Sequence, residues 1–268
     1  MFAPIIIESY SKNSGAPRRQ PMQYSSLALR NLSREELSAF FAENGSSLLE
    51  DEALALLENP NCGATLCQAI ARTTHLTAFY AVRFRLVQHR ATPLTHAVKL
   101  VHYLFWPDLL RLSVDMKVPA QVRRAVETQL LFRVKKLSLG EKIASAKRCS
   151  AALINVFLFD PDPKVFAALL INQRLREEDL VLFAGSESAL PESLRLLAAD
   201  RKWSFRYAIR RALVMNPSTP RSSAASQLRF LSQRDLCLIH EHPATSTYLR
   251  RCIERLRERV FVRMVGQS

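Results

Sequence analysis

Glycine is scarce in this chain, with six residues at positions 15, 45, 63, 140, 185 and 266 of 268. None falls in a G-x-G-x-x-G or G-x-x-x-x-G-K-[ST] pattern. Phosphate-cradling loops need glycine where backbone approaches phosphate closely, so neither a Rossmann nor a P-loop enzyme is expected. Cysteine is sparse and odd in number, at Cys62, Cys67, Cys149, Cys237 and Cys252, with no C-x-x-C pair. That usage predicts reduced, packed thiols of a soluble cytoplasmic protein rather than a disulfide framework. Long apolar runs are missing: no segment reaches the roughly 20 residues that span a bilayer, so an integral membrane protein is not expected. Ile5-Ile6-Ile7 has no basic region before it, so Met1–Tyr10 does not read as a signal peptide. Strand signals are confined to Pro4 to Glu8, since β-branched runs occur nowhere else.

What the chain does have is hydrophobic content and positive charge. At 48% hydrophobic residues it can bury a large core. Lys and Arg number 38 against 24 Asp and Glu, a net charge of +14. That balance makes a polyanion the first partner to consider: nucleic acid, an anionic membrane surface or an acidic protein. Residues 11 to 26 are polar, basic and interrupted by Gly15, Pro17 and Pro21, which predicts a flexible N-terminal arm over 1–26. The fold is expected over 27–268 as a single helical domain. Ser33-Arg34-Glu35-Glu36 forms a capping box ahead of Leu37, Phe40 and Phe41, and predicts a helix ending near Gly45.

Sliding the chain against itself by 127 positions (207 − 80 = 127) brings a long ungapped set of matches into register. Tyr80-Ala81-Val82-Arg83 falls on Tyr207-Ala208-Ile209-Arg210, Thr92-Pro93 on Thr219-Pro220, and Arg123-Arg124 on Arg250-Arg251. Asp108-Leu109 falls likewise on Asp235-Leu236. Only the segments around 60 and 187 call for a one-residue adjustment. The expected organisation is copy one at about 50–137, linking helices at 138–172 and copy two at about 173–262. Within each copy lies a shorter phrase, VRFRLVQHRATP at 82–93 and IRRALVMNPSTP at 209–220. It predicts a helix, an Asn or His near its end in left-handed geometry, and a Pro opening the next helix. Ser138 is expected to start a helix running to about Phe159, with Asp160-Pro161-Asp162-Pro163 forcing a turn. The predicted fold class is an all-α solenoid of stacked short helices.

The segment Arg210-Arg211-Ala212-Leu213-Val214-Met215-Asn216-Pro217-Ser218-Thr219-Pro220 resembles the phrase of leucine-rich repeat variant proteins, which belong with HEAT-like α-solenoids. The resemblance spans roughly residues 50 to 257 and is degraded where His89-Arg90 stands in place of Asn-Pro. It implies the fold more than an activity. The prototype of that class carries a cysteine-ligated iron–sulfur cluster in a separate region; no such cysteine cluster occurs here, and no cofactor is implied.

Arginines at corresponding places supply the candidate site: Arg83 with Arg210, Arg123 with Arg250, and Arg124 with Arg251, extended by Arg211. Stacked helices would set them in a stripe able to follow acidic or phosphate groups. Equally, they would line a solvated face, pair with Glu127 and Glu254, and pack their stems over neighbouring helices. Trp203, Phe205 and Tyr207 are expected to offer stacking surfaces. The C-terminal helix, Ser246 to about Val262, has a basic amphipathic pattern and reads as a docked terminal element rather than a membrane-adsorbing one. His240-Glu241-His242 lacks the H-E-x-x-H spacing, and Cys62, Cys67 and His75 read as packing residues, so no metal site is expected. The expected function is a non-enzymatic intracellular scaffold that binds an acidic macromolecule, a protein first. A nucleic-acid binder is the alternative. A HEAT-like DNA glycosylase for alkylated bases is the third reading, with Asp108 or Asp235 and Trp106 or Trp203 as the residues to test.

Overall fold

The computed structural model describes residues 26–265, with side chains described over 27–258. The expected arm over 1–25 and the strand signal at Pro4 to Glu8 lie outside those residues. Among them the chain is all-helical, with eighteen α-helices and no strand. It divides into two compact units, Met1–Val82 and Arg83–Ser268.

The first unit holds α1 (Ser26–Leu29), α2 (Arg34–Asn44), α3 (Glu50–Glu58), α4 (Ala64–Arg72) and α5 (Thr74–Ala78). The Ser33 capping box forms as the sequence predicts: the Ser33 hydroxyl accepts from the Glu36 amide while the Glu36 carboxylate accepts from the Ser33 amide at 2.8 Å. α1 packs on α3 and α2 on α4, burying Leu29, Leu37, Leu56 and Ile70.

The helix α6 (Tyr80–Gln88) leads into the second unit. There follow α7 (Leu94–Val101), α8 (Trp106–Val114), α9 (Ala120–Arg133), α10 (Leu139–Ala146), α11 (Ala151–Leu158) and α12 (Pro163–Leu169). After them come α13 (Glu177–Gly185), α14 (Pro191–Ala199), α15 (Tyr207–Met215), α16 (Arg221–Leu228), α17 (Gln233–Glu241) and α18 (Thr247–Val265). Helices pack repeatedly on the next but one: α7 on α9, α9 on α11, α10 on α12, α12 on α14, α13 on α15, α14 on α16, α15 on α17 and α16 on α18. The last of these layers buries Val214, Leu228, Leu236, Ile239 and Ile253 in one cluster.

One turn recurs seven times among the described residues, at Asn59, His89, Asp115, Asn172, Ser186, Asn216 and His242. In each, the side chain accepts from the backbone amide two residues on, and the carbonyl accepts from the amide three residues on. The next helix starts five residues after the turn residue every time. The left-handed geometry expected of Asn and His is not found. No described residue has positive φ, and Asn59 (φ −68°, ψ 128°), Asn216 (φ −78°, ψ 119°) and His242 (φ −65°, ψ 131°) are extended. Pro60, Pro217 and Pro243 follow directly and disfavour helical space for the residue before them, yet Asp115 and Ser186 are equally extended before Met116 and Glu187, so proline only reinforces a geometry set by the turn residue. Its short polar side chain then closes the turn from the extended conformation. Pro93, Pro119 and Pro220 stand at the N-cap of the following helix rather than inside its first turn.

Helix boundaries also bear on the 127-residue displacement. α3, α4, α6, α7, α8 and α9 start that distance before α13, α14, α15, α16, α17 and α18, with no adjustment around 60 and 187. The continuous helix expected from Ser138 to Phe159 is broken into α10 and α11. The break frees the carbonyls of Ala146 and Cys149, and the buried Asn172 amide donates to both, at 2.8 and 3.3 Å.

Candidate functional site

The seven arginines singled out by the sequence divide into three kinds. Arg83 and Arg210 lie over aromatic rings: the Arg83 guanidinium is 6.0 Å from the Tyr103 centroid and that of Arg210 is 3.9 Å from Phe230. These two pairs occupy corresponding positions at the 127-residue displacement. Arg210 also donates to the Ser204 carbonyl at 2.6 Å. Arg123 and Arg250 reach back to the turn before their own helices, to the Met116 sulfur at 2.9 Å and the His242 carbonyl at 3.1 Å. Arg211 pairs with Asp235 at 3.1 Å. Arg124 and Arg251 are exposed and meet no carboxylate among the described residues.

Asp235 is a hub rather than a free acid. It accepts from the Tyr207 hydroxyl, from Ser232 at 3.1 Å and from Arg211, and the Tyr207 bond foremost holds its carboxyl below the usual range. Trp203, expected on the surface, is 5% exposed, and its indole donates to the Leu170 carbonyl at 3.2 Å. The Asp200 carboxylate explains the inversion, because it accepts from the Lys202 and Trp203 amides and turns the chain so that the ring faces inward. Trp106 is likewise buried and donates to Ser145 at 2.7 Å. Neither tryptophan stands at a surface beside Asp108 or Asp235, so the geometry gives the glycosylase reading no support.

His240 pairs with Glu254 at 3.0 Å while His242 closes its turn, so the two imidazoles serve different partners. The Cys62 and Cys67 sulfurs lie 3.6 Å apart, and that contact together with burial pushes the Cys62 thiol far up. Burial pushes Cys149 up to about 12. Thiols so raised stay protonated at neutral pH and are poor nucleophiles.

A surface that sequence reasoning missed lies at the C-terminal ends of α7 and α9. Tyr103, Phe105 and Phe132 are 64%, 63% and 69% exposed, which is unusual for three rings so placed. Arg133 ties the two ends together, donating to the carbonyls of His102 and of Leu104, the latter at 2.8 Å. Lys136 stands 5.6 Å from the Phe132 ring, and Lys135 beside it is exposed. The segments 99–105 (KLVHYLF) and 131–136 (LFRVKK) contain no Asp or Glu. That shared lack of acid was the available signal, hidden because each segment scans as the end of an ordinary amphipathic helix.

No known protein family, curated protein or solved structure matches the chain. No helix among the described residues is long and apolar enough to cross a membrane.

Proposed function

We propose that the chain is a non-enzymatic binding module of the cytoplasm, an α-solenoid of the HEAT-like, leucine-rich repeat variant kind built from two tandem copies of a 127-residue unit. Its partner is a macromolecule with an acidic or phosphate-bearing surface. The observation that carries this reading is structural register: six helices start at a constant displacement, and from α12 to α18 most helices pack on the next but one, as stacked repeats do. Register sets Arg124 and Arg251 at corresponding, exposed points of α9 and α18. A net charge of +14 supports an anionic partner, and five cysteines outside any disulfide support a reducing compartment.

Titration of the full chain with heparin and with polyglutamate at low salt tests the proposal. Binding is expected, and the double charge reversal Arg124→Glu/Arg251→Glu is expected to weaken it several-fold without changing the helical circular dichroism. Binding of neither polyanion would refute the reading.

A further inference from the structure

We infer that single-stranded nucleic acid binds across the C-terminal ends of α7 and α9, its bases stacking on Tyr103, Phe105 and Phe132 and its phosphates meeting Arg83, Lys135 and Lys136. The inference rests on the polyanion-binding reading above and narrows it to one class of partner. It also shifts the contact surface away from most of the in-register arginines: Arg83 and Tyr103 keep counterparts in Arg210 and Phe230, whereas Ser232 and Arg259 stand at the positions corresponding to Phe105 and Phe132.

Three features of the surface favour nucleic acid over an acidic protein. A protein hot spot centres its aromatic residues inside a polar rim of mixed character, whereas here the two contributing segments carry cations and no carboxylate. The nearest carboxylate along the chain after Phe105 is Asp108, half-buried in the first turn of α8. Secondly, the rings and the charges are interleaved: Arg83 over Tyr103, and Lys136 against Phe132. This is the combination that binds single strands without reading sequence, since every base offers a π-face and every nucleotide a phosphate. Such pairing recurs among the described residues, as in Arg111 over Phe84 at 5.9 Å and Arg210 over Phe230 at 3.9 Å. Thirdly, the platform is braced. Arg133 bonds two carbonyls of the turn that carries Tyr103 and Phe105, so the rings are held in place before a ligand arrives. A duplex would not use the rings, because its bases are already stacked on one another.

The test is fluorescence anisotropy of the full chain with a labelled oligothymidylate of about 12 nucleotides, a length within the span of known single-strand sites. A duplex of equal length and polyglutamate serve as comparators. The single strand is expected to bind more tightly than either. Tyr103→Ala, Phe105→Ala and Phe132→Ala are each expected to weaken it about 5- to 100-fold, while Tyr103→Phe and Phe132→Tyr, which keep the ring, retain binding. Lys135→Ala/Lys136→Ala is expected to reduce the salt slope by about 1.4, from about 0.7 for each single-strand phosphate released. Equal affinity for single strand and duplex, with no effect of the ring-to-alanine changes, would overturn the stacking surface while leaving a polyanion binder. Binding of polyglutamate but not of the oligonucleotide would overturn the choice of partner in the same way. Binding of none of the three would overturn both readings together.

Discussion

At the scale of single residues, carboxylates in this chain act chiefly on backbone. Glu36 is held below the ordinary carboxylate range first by the Ser33 amide, and Glu141 first by the Ser138 hydroxyl, each at the mouth of its helix. Asp115 closes the turn after α8: it accepts from the Lys117 amide at 2.9 Å and from Gln88 at 3.1 Å, and these bonds, the amide's first, lower its pKa. A carboxyl lowered in the folded state contributes stability that is fully present above its unfolded value of about 4. That contribution disappears as pH falls through the lower folded value. Asp115→Asn retains an oxygen for the Lys117 amide and cannot titrate. Acid unfolding followed by circular dichroism should therefore be less steep below about pH 4 in the variant than in the parent chain. Parallel acid-unfolding curves would show that Asp115 contributes nothing to the pH dependence.

At the scale of elements, the turn residues are of two strengths. Ser186 only accepts, from the Ser188 amide. Asn59, Asn172 and Asn216 accept in the same way, and they also donate to carbonyls of an earlier stretch of chain: Leu29 and Leu32, Ala146 and Cys149, Ala184 and Ser186. Removing Asn172 would leave the Arg174 amide and two carbonyls without their side-chain partner in a fully buried place. Asn172→Ala is expected to cost about 2–4 kcal/mol in denaturant unfolding, and Ser186→Ala less than about 1 kcal/mol. Equal losses would contradict the distinction between stitching and closing turns. Much of this level was legible in sequence. The capping box at Ser33, the helix starts at Ser138 and after Pro93 and Pro220 and the start of α18 after Ser246 all follow from local side-chain chemistry. The break between α10 and α11 was not, because Ala146 and Cys149 are bonded by an asparagine more than twenty residues later. The extended geometry of Asn216 is legible in Pro217, because a residue before proline is held in extended space against the tendency of asparagine toward left-handed turns.

At the scale of the whole molecule, the positive charge counts most where helices leave it uncommitted. Position in the sequence suggested one stripe of arginines. In the structure Arg83 and Arg210 are engaged with rings, Arg123 and Arg250 with turns and Arg211 with Asp235. Periodicity assigns a residue to a helix face, but it does not tell which faces a neighbour covers. Phe132, two residues beyond Leu130, falls away from the buried Val122, Val126 and Leu130 stripe of α9 and is exposed, while Trp203, expected to offer a stacking surface, is buried. The property proposed for the whole molecule is binding of polyanions by its surface. It is tested most directly by the slope of log affinity against log salt for the full chain with a labelled oligothymidylate, between about 50 and 200 mM salt. A straight line of negative slope is expected, about −0.7 for each phosphate neutralised. A slope of zero, or no binding at the lower salt concentration, would contradict it.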